Sequence, residues 1–435
     1  MFPEYGIFRE SGYILVPLDS YPSTDKPMSL PPLRASEHLH DVKYEIRGAL
    51  ARRADELERE GHDIVKLNIG NPGAFGFRMP STMRVAMVQN LPQADPYSHQ
   101  KGIFQAREAV VMQQQDRGVM DVTADDVFIG NGVSELIMLT MRALLNPGDE
   151  VLVPSPDYPL WTASVVIHGA KAVHYPCRSE NGFVPDPKEI RALITNKTRA
   201  IVVINPNNPT GAVYSAEVLK ELAELAEEHH LVLCADEIYD EMLYEGAEYV
   251  PMATLVKHTL CLTFSGLSKI YRACGLRVGW VTFSGERSHA RDYIDAVELL
   301  ASLRLCSNVP GQFAVQTALG GHQSIFDLTR PGGRLFETRR AILESVAASR
   351  YLDVVAPRGS MYAFIRIKTD KVGGASFDDR KFALQLLEQK HVLVAPGSSF
   401  NVPYRDHFRA TLLPQPDLMR DVLGRVEALL DELAS

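Results

Sequence analysis

No apolar run in the 435 residues approaches the roughly 20 needed to cross a bilayer. The longest resemble Ile201-Val202-Val203-Ile204. Cysteine is scarce: the five residues Cys177, Cys234, Cys261, Cys274 and Cys306 form no CxxC pair. That excludes a dense disulfide framework and a zinc-ribbon spacing, and it predicts reduced thiols in a cytoplasmic protein. Basic residues are outnumbered, 45 Lys and Arg against 54 Asp and Glu, for a formal net charge of −9. Nucleic acid and anionic membranes select clustered Lys and Arg, so neither is expected as a partner. His38-Leu39-His40 and His229-His230 lack suitably spaced partners, and no metal site is expected. Glu4 and Glu10 come early and no sustained apolar segment follows, which does not read as a secretory leader.

What is present is an ordinary globular composition, 46% hydrophobic and 23% charged. At about 150 residues per domain, the length allows two or three domains. Residues 1–36 lack periodicity and read as an N-terminal extension. From Asp41 to Glu60 the pattern is helical, with Ile46, Leu50, Ala54 and Leu57 on one face and Gly61 as the stop. A short extended segment, Val65 to Ile69, runs into the turn Gly70-Asn71-Pro72-Gly73.

The middle of the chain alternates short apolar strands with amphipathic helices. Strands are predicted at 127–129, 151–153, 201–204, 231–235, 261–264 and 280–283. The segment Ala216 to His229 is a representative helix, with Val218, Leu222 and Leu225 on one face. Fully apolar strands imply a mostly parallel sheet covered on both faces. The fold class is therefore α/β, with ligands outside the carboxyl ends of the strands. After about residue 310 the texture changes. A long helical region, an alternating strand at 362–367, a helix at 378–389 and a strand at 391–395 suggest a smaller α+β domain. The predicted organisation is a large domain over 76–310 and a small one built from 37–75 and 311–435.

Polar groups gather at the predicted strand ends. Gly130-Asn131-Gly132-Val133-Ser134-Glu135 opens a helix after a strand and can cradle a phosphate on its backbone N–H groups. Taken alone it reads equally as a helix cap. Lys269 alone is a surface charge, Asp236-Glu237 a cap or a metal ligand, Arg277 an ion-pair partner, and Asn205 to Gly211 a tight turn. Their joint occurrence in this order is harder to explain by turns. A nicotinamide dehydrogenase lacks its fingerprint, because Glu135 stands where the third glycine belongs.

The ordered set resembles the fold type I, pyridoxal-phosphate (PLP) dependent aminotransferases. Asn208-Pro209-Thr210-Gly211 is similar to that family's NPTG loop, and Asp236 with Tyr239 to its Asp-x-x-Tyr element. Ser268-Lys269, with Arg277 eight residues on, is similar to the cofactor-linking segment, and Phe408-Arg409 to the substrate-carboxylate arginine. The resemblance covers about residues 40–435. It implies PLP as cofactor and Lys269 as the catalytic amine that joins it and later moves the proton. It implies Asp236 against the ring nitrogen, Asn208 and Tyr239 at the ring oxygen, and Tyr158 stacked on the ring. Gly132, Val133, Ser134, Ser268 and Arg277 would take the phosphate. Tyr97 resembles a tyrosine that reaches the phosphate of the neighbouring subunit, which implies a homodimer with shared sites. Gly70, Asn208 and Arg409 would hold the substrate α-carboxylate, and Arg47 is a candidate second carboxylate partner that reads equally as a surface charge.

Several segments are similar to the bacterial glutamate–pyruvate (alanine) aminotransferases, among them 67–72, 131–137, 157–162 and 303–310. That resemblance implies transfer of the amino group between L-alanine or L-glutamate and pyruvate or 2-oxoglutarate. It would be a ping-pong reaction in which the nitrogen rests on the cofactor between two half-reactions. The extension and Cys274, which stands where a small aliphatic residue is expected, depart from the pattern. A C–S β-lyase or an aromatic or kynurenine aminotransferase would use the same cofactor residues. A catalytically silent regulator would need a DNA-binding module, for which the extension is too short and too poor in basic residues.

Overall fold

The computed structural model describes residues 32–40, 42 and 48–435. Thirteen strands occur among them. β1 (Val65–Lys66) comes first. β2 (Val127–Gly130), β3 (Glu150–Ser155), β4 (Lys171–Pro176), β5 (Thr198–Ile204), β6 (Val232–Asp236), β7 (Leu260–Gly266) and β8 (Gly279–Gly285) follow. β9 (Leu352–Val354), β10 (Tyr362–Ile367), β11 (Val392–Leu393), β12 (Ala395–Pro396) and β13 (His407–Thr411) complete the set.

The large sheet has seven strands in the order β2-β8-β7-β6-β5-β3-β4. Every neighbouring pair is parallel except those of β8, which runs antiparallel to both β2 and β7. The apolar strand sequences follow from burial on both faces. In β5, Ile201 and Val203 join one core while Ala200, Val202 and Ile204 join the other. A strand with one wet face would alternate apolar and polar residues; this one cannot. Amphipathic helices supply the cover. Ala216–Glu228 buries Leu219, Leu222 and Leu225, and the Ser215 hydroxyl caps it by accepting from the Val218 amide.

The second sheet has four strands in the order β12-β13-β10-β9, all antiparallel. A third, two-stranded sheet pairs β1 with β11 in parallel, joining chain segments more than 300 residues apart. The predicted single strand at 391–395 is thus two strands. β11 pairs with β1 and β12 with β13, so the chain changes sheets at Val394. Strands β4, β9 and β13 were not predicted from sequence. The predicted N-terminal helix is described over Ala49–Arg59; Asp41, Ile46 and the rest of 43–47 lie outside the described residues. The long helical region after 310 is several helices, the longest Arg334–Ala348. Asp378 caps the helix Asp379–Lys390, accepting from the Arg380 and Lys381 amides. Glu37–Ser435 pack as one unit. No described helix is long and apolar enough to cross a membrane.

Candidate active site

A cavity of about 650 Å³ opens at the carboxyl ends of β5, β6 and β7. Loop polar groups collect there because the loops that follow parallel strands all leave from that one edge of the sheet. Its wall includes Gly70, Val133, Ser134, Tyr158, Asn208, Asp236, Tyr239, Ser268, Lys269, Arg277 and Arg409, all singled out from sequence. Gly132 lies next to the wall as the cap of the helix Val133–Leu144. Tyr97 does not line it and is 77% exposed. Arg47 lies outside the described residues.

One end of the cavity is a helix start. Gly132 has φ +82°, ψ 164°, a region close to glycine-only. A Cβ there would stand 2.3 Å from Arg277 Nη2, so the missing side chain is what admits the guanidinium. Arg277 itself is exposed and donates to the Asn131 and Cys274 carbonyls, both at 3.2 Å. Free N–H groups of a helix start, a hydroxyl (Ser134 or Ser268) and a guanidinium are a donor set for a phosphate.

The floor is Asp236, the last residue of β6 and 2% exposed. Burial pushes its carboxyl up to about 6. The Trp161 indole N–H donates to Oδ2 at 3.0 Å, and this bond and the nearby Lys269 charge pull the other way. The carboxylate form therefore persists at neutral pH, fixed in orientation. Lys269 is half-buried, and its Nζ donates to the Gly70 carbonyl at 2.7 Å. Tyr239 is fully buried, which pushes its phenol up, and its hydroxyl donates to that of Tyr362 at 3.1 Å. Cys274, the departure noted in the sequence, is on the wall as well, its thiol donating to the Ser268 carbonyl at 2.9 Å.

The opposite end is built around Arg409, 1% exposed on β13. Nη1 donates to Asn208 Oδ1 at 2.7 Å, and Nη2 donates to the Asn68 carbonyl. Its guanidinium carbon lies 4.2 Å from the Tyr362 ring centre and 4.7 Å from that of Phe400. Nε is buried without a hydrogen-bond partner. A desolvated guanidinium with unused donor capacity on a cavity wall calls for a carboxylate. Gly70 is required here for space, since a Cβ would meet the Tyr362 hydroxyl at 2.2 Å.

Trp161, Tyr362, Asn68 and Phe400 were not singled out from sequence. Trp161 stood inside the segment 157–162, whose likeness to the alanine aminotransferases was noted. Asn68 likewise stood inside the segment 67–72; Tyr362 and Phe400 carry no signal for this role, because the fold, not the chain, brings Arg409 against their rings.

Residues 62–426 match the family model for aminotransferase class I and II. The glutamate-pyruvate aminotransferase AlaA of Escherichia coli is 50% identical over 386 residues, 89% of this chain and 95% of that protein. The alanine aminotransferase of Mycobacterium tuberculosis is 48% identical over 401 residues, 92% of each chain. The aspartate/prephenate aminotransferase of Thermus thermophilus is 31% identical over 397 residues, 91% of this chain and 98% of that protein. Among solved structures, an aminotransferase from Escherichia coli matches with a TM-score of 0.91 at 48% identity, covering 93% of this chain and all of that one.

Proposed function

The chain belongs to the class I and II aminotransferases, and from that premise we propose that it moves an amino group between L-alanine or L-glutamate and pyruvate or 2-oxoglutarate. One observation carries the reading: an amine, a buried carboxylate and a desolvated guanidinium (Lys269, Asp236 and Arg409) face one cavity. The choice of substrates is supported by identity near 50% to proteins named for alanine and glutamate–pyruvate transfer, against 31% to one named for aspartate and prephenate.

The donor set fits pyridoxal phosphate as cofactor. The cradle at Gly132 would be filled by a Cβ, the helix start and Arg277 suit a phosphate, and the floor is a carboxylate. When bound, that group supplies an electron sink for the charge left as the amino acid loses its α-proton. Asp236 would keep the ring nitrogen protonated, with Trp161 holding the carboxylate in place. Tyr239 and Asn208 would donate to the ring oxygen, and Tyr158 would cover a ring face. Lys269 Nζ, the movable amine on the wall, would take the proton from Cα and return it to the cofactor carbon on the far side of the nitrogen. Arg409, with Asn208 and Gly70, would fix the α-carboxylate so that the α-proton points at Lys269. Arg47 remains the candidate for the glutamate side-chain carboxylate.

We read residues 76–310 as the large domain and 37–75 with 311–435 as the small one, joined through the β1–β11 pair. The protein would act as a cytoplasmic homodimer. Tyr97, exposed and off its own cavity wall, is free to reach that of a second copy.

The test is spectroscopic. The PLP-loaded enzyme, given L-alanine or L-glutamate without an oxo acid, should convert to the absorption of pyridoxamine phosphate, and pyruvate or 2-oxoglutarate should restore it. The Lys269→Ala variant should not convert. Faster conversion with aromatic amino acids would reassign the substrate. Release of pyruvate and ammonia from cystathionine would reassign the reaction to a C–S lyase.

A further inference from the structure

The wall that carries Tyr158 and the wall that carries Arg409 come from different sheets, yet they are hydrogen-bonded together just outside the cavity. Ser155, at the end of β3, sends its hydroxyl to the Asn401 carbonyl at 2.8 Å. The Asp157 amide donates to the Phe400 carbonyl at 3.2 Å. Asn401 Nδ2 donates to Asp157 Oδ1 at 2.9 Å. The second oxygen of Asp157 accepts from the Thr162 hydroxyl at 2.5 Å, and that hydroxyl is 2.9 Å from His174 Nε2. Asp157 is fully buried, does not itself line the cavity, and immediately precedes Tyr158, which does. Phe400, one residue before Asn401, is a ring stacked on Arg409.

We propose that Asp157, through Asn401, is a positioning residue that holds the ring-covering Tyr158 and the carboxylate-binding Arg409 in one fixed relation. The idea rests on the cofactor reading above and adds to it. A buried carboxylate with both oxygens satisfied by donors from separate segments is costly to create and rigid once made. Burial pushes the Asp157 carboxyl up to about 7, so its shape and hydrogen bonds matter more here than a permanent charge. An asparagine preserves that shape: its oxygen can accept from Asn401, while Thr162 can turn to His174. Asn401 has φ +55°, a left-handed backbone that glycine also adopts. Asn401→Gly therefore removes the amide and spares the turn.

The experiment uses the PLP-loaded enzyme and two readouts besides activity, one kinetic and one at equilibrium. One is the rate of cofactor release after dilution; the other is the Kd of propionate, a carboxylate without an amino group, read from cofactor fluorescence. Asn401→Gly and Asp157→Ala should speed release and weaken propionate together, each by about tenfold, the size of one lost buried hydrogen bond. Asp157→Asn should stay within about twofold of the parent on both, since it keeps the bond from Asn401 that joins the two walls. If Asp157→Ala does not fold, Asn401→Gly alone decides. Movement of only one readout, or a lower thermal midpoint with both unchanged, overturns the coupling and leaves the cofactor reading intact. A parent that retains neither PLP nor propionate overturns both.

Discussion

Two arginines face the same cavity and serve opposite ends of it. Arg277 stands in solvent at a helix start, with two backbone carbonyls for partners. Arg409 is buried between two aromatic rings, held by an amide side chain and a carbonyl, with one nitrogen left over. The difference is one of preparation. Around Arg277 much of the attraction for an anion comes from backbone N–H groups and a helix dipole, which need no desolvated charge. Around Arg409 the desolvation is already done when the protein folds, so an arriving carboxylate meets a guanidinium that water does not screen. The first arrangement suits a group that stays bound through many turnovers. The second suits ligands that must bind firmly yet exchange.

The sharpest way to break that contrast is Arg409→Ala. kcat/KM should fall about 10³-fold for amino acids and oxo acids alike, from roughly 4 kcal/mol lost with a desolvated charge pair. Cofactor retention should not change; loss of cofactor instead would mean the buried arginine also supports the phosphate end. Arg277→Ala should do the reverse and do it more gently. Titration of the apoenzyme with PLP should show about tenfold weaker binding, because an exposed guanidinium is screened, while Michaelis constants at saturating cofactor stay put. A raised Michaelis constant would place Arg277 on the substrate. Gly132→Ala should have the smallest effect on a ligand, about threefold weaker PLP, together with a lower thermal midpoint from forcing a side chain into a glycine-only backbone. Unaltered values on both counts would mean that Arg277 can step aside and that the backbone accepts a side chain at no cost.

The same contrast explains what the sequence made legible. Asp236 closes the mostly buried strand Val232–Asp236, and Lys269 and Asn208 sit in turns after others, so the helix-start end could be located from strand punctuation and then from motif order. The carboxylate end could not. Arg409 lies inside a strand that periodicity did not announce, and its partners Asn68, Asn208, Tyr362 and Phe400 are scattered over more than 330 residues. Only the family resemblance pointed to it. Trp161 was hidden for a similar reason. A fully buried tryptophan reads as core until its N–H is seen 3.0 Å from a carboxylate 75 residues away. The split of 391–395 into two strands was invisible because each half is apolar; what separates them is the partner strand, not the sequence.

The place of β13 in the chain has a consequence for how the protein is made. At roughly 5–20 residues per second, the ribosome needs on the order of ten seconds to travel from Arg277 to Arg409. During that interval the nascent polypeptide already carries the phosphate cradle, Asp236 and Lys269, but no carboxylate clamp, because the antiparallel partner of β10 has yet to emerge. Synthesis order would therefore offer the proposed cofactor a half-built pocket before the end that binds a substrate carboxylate exists.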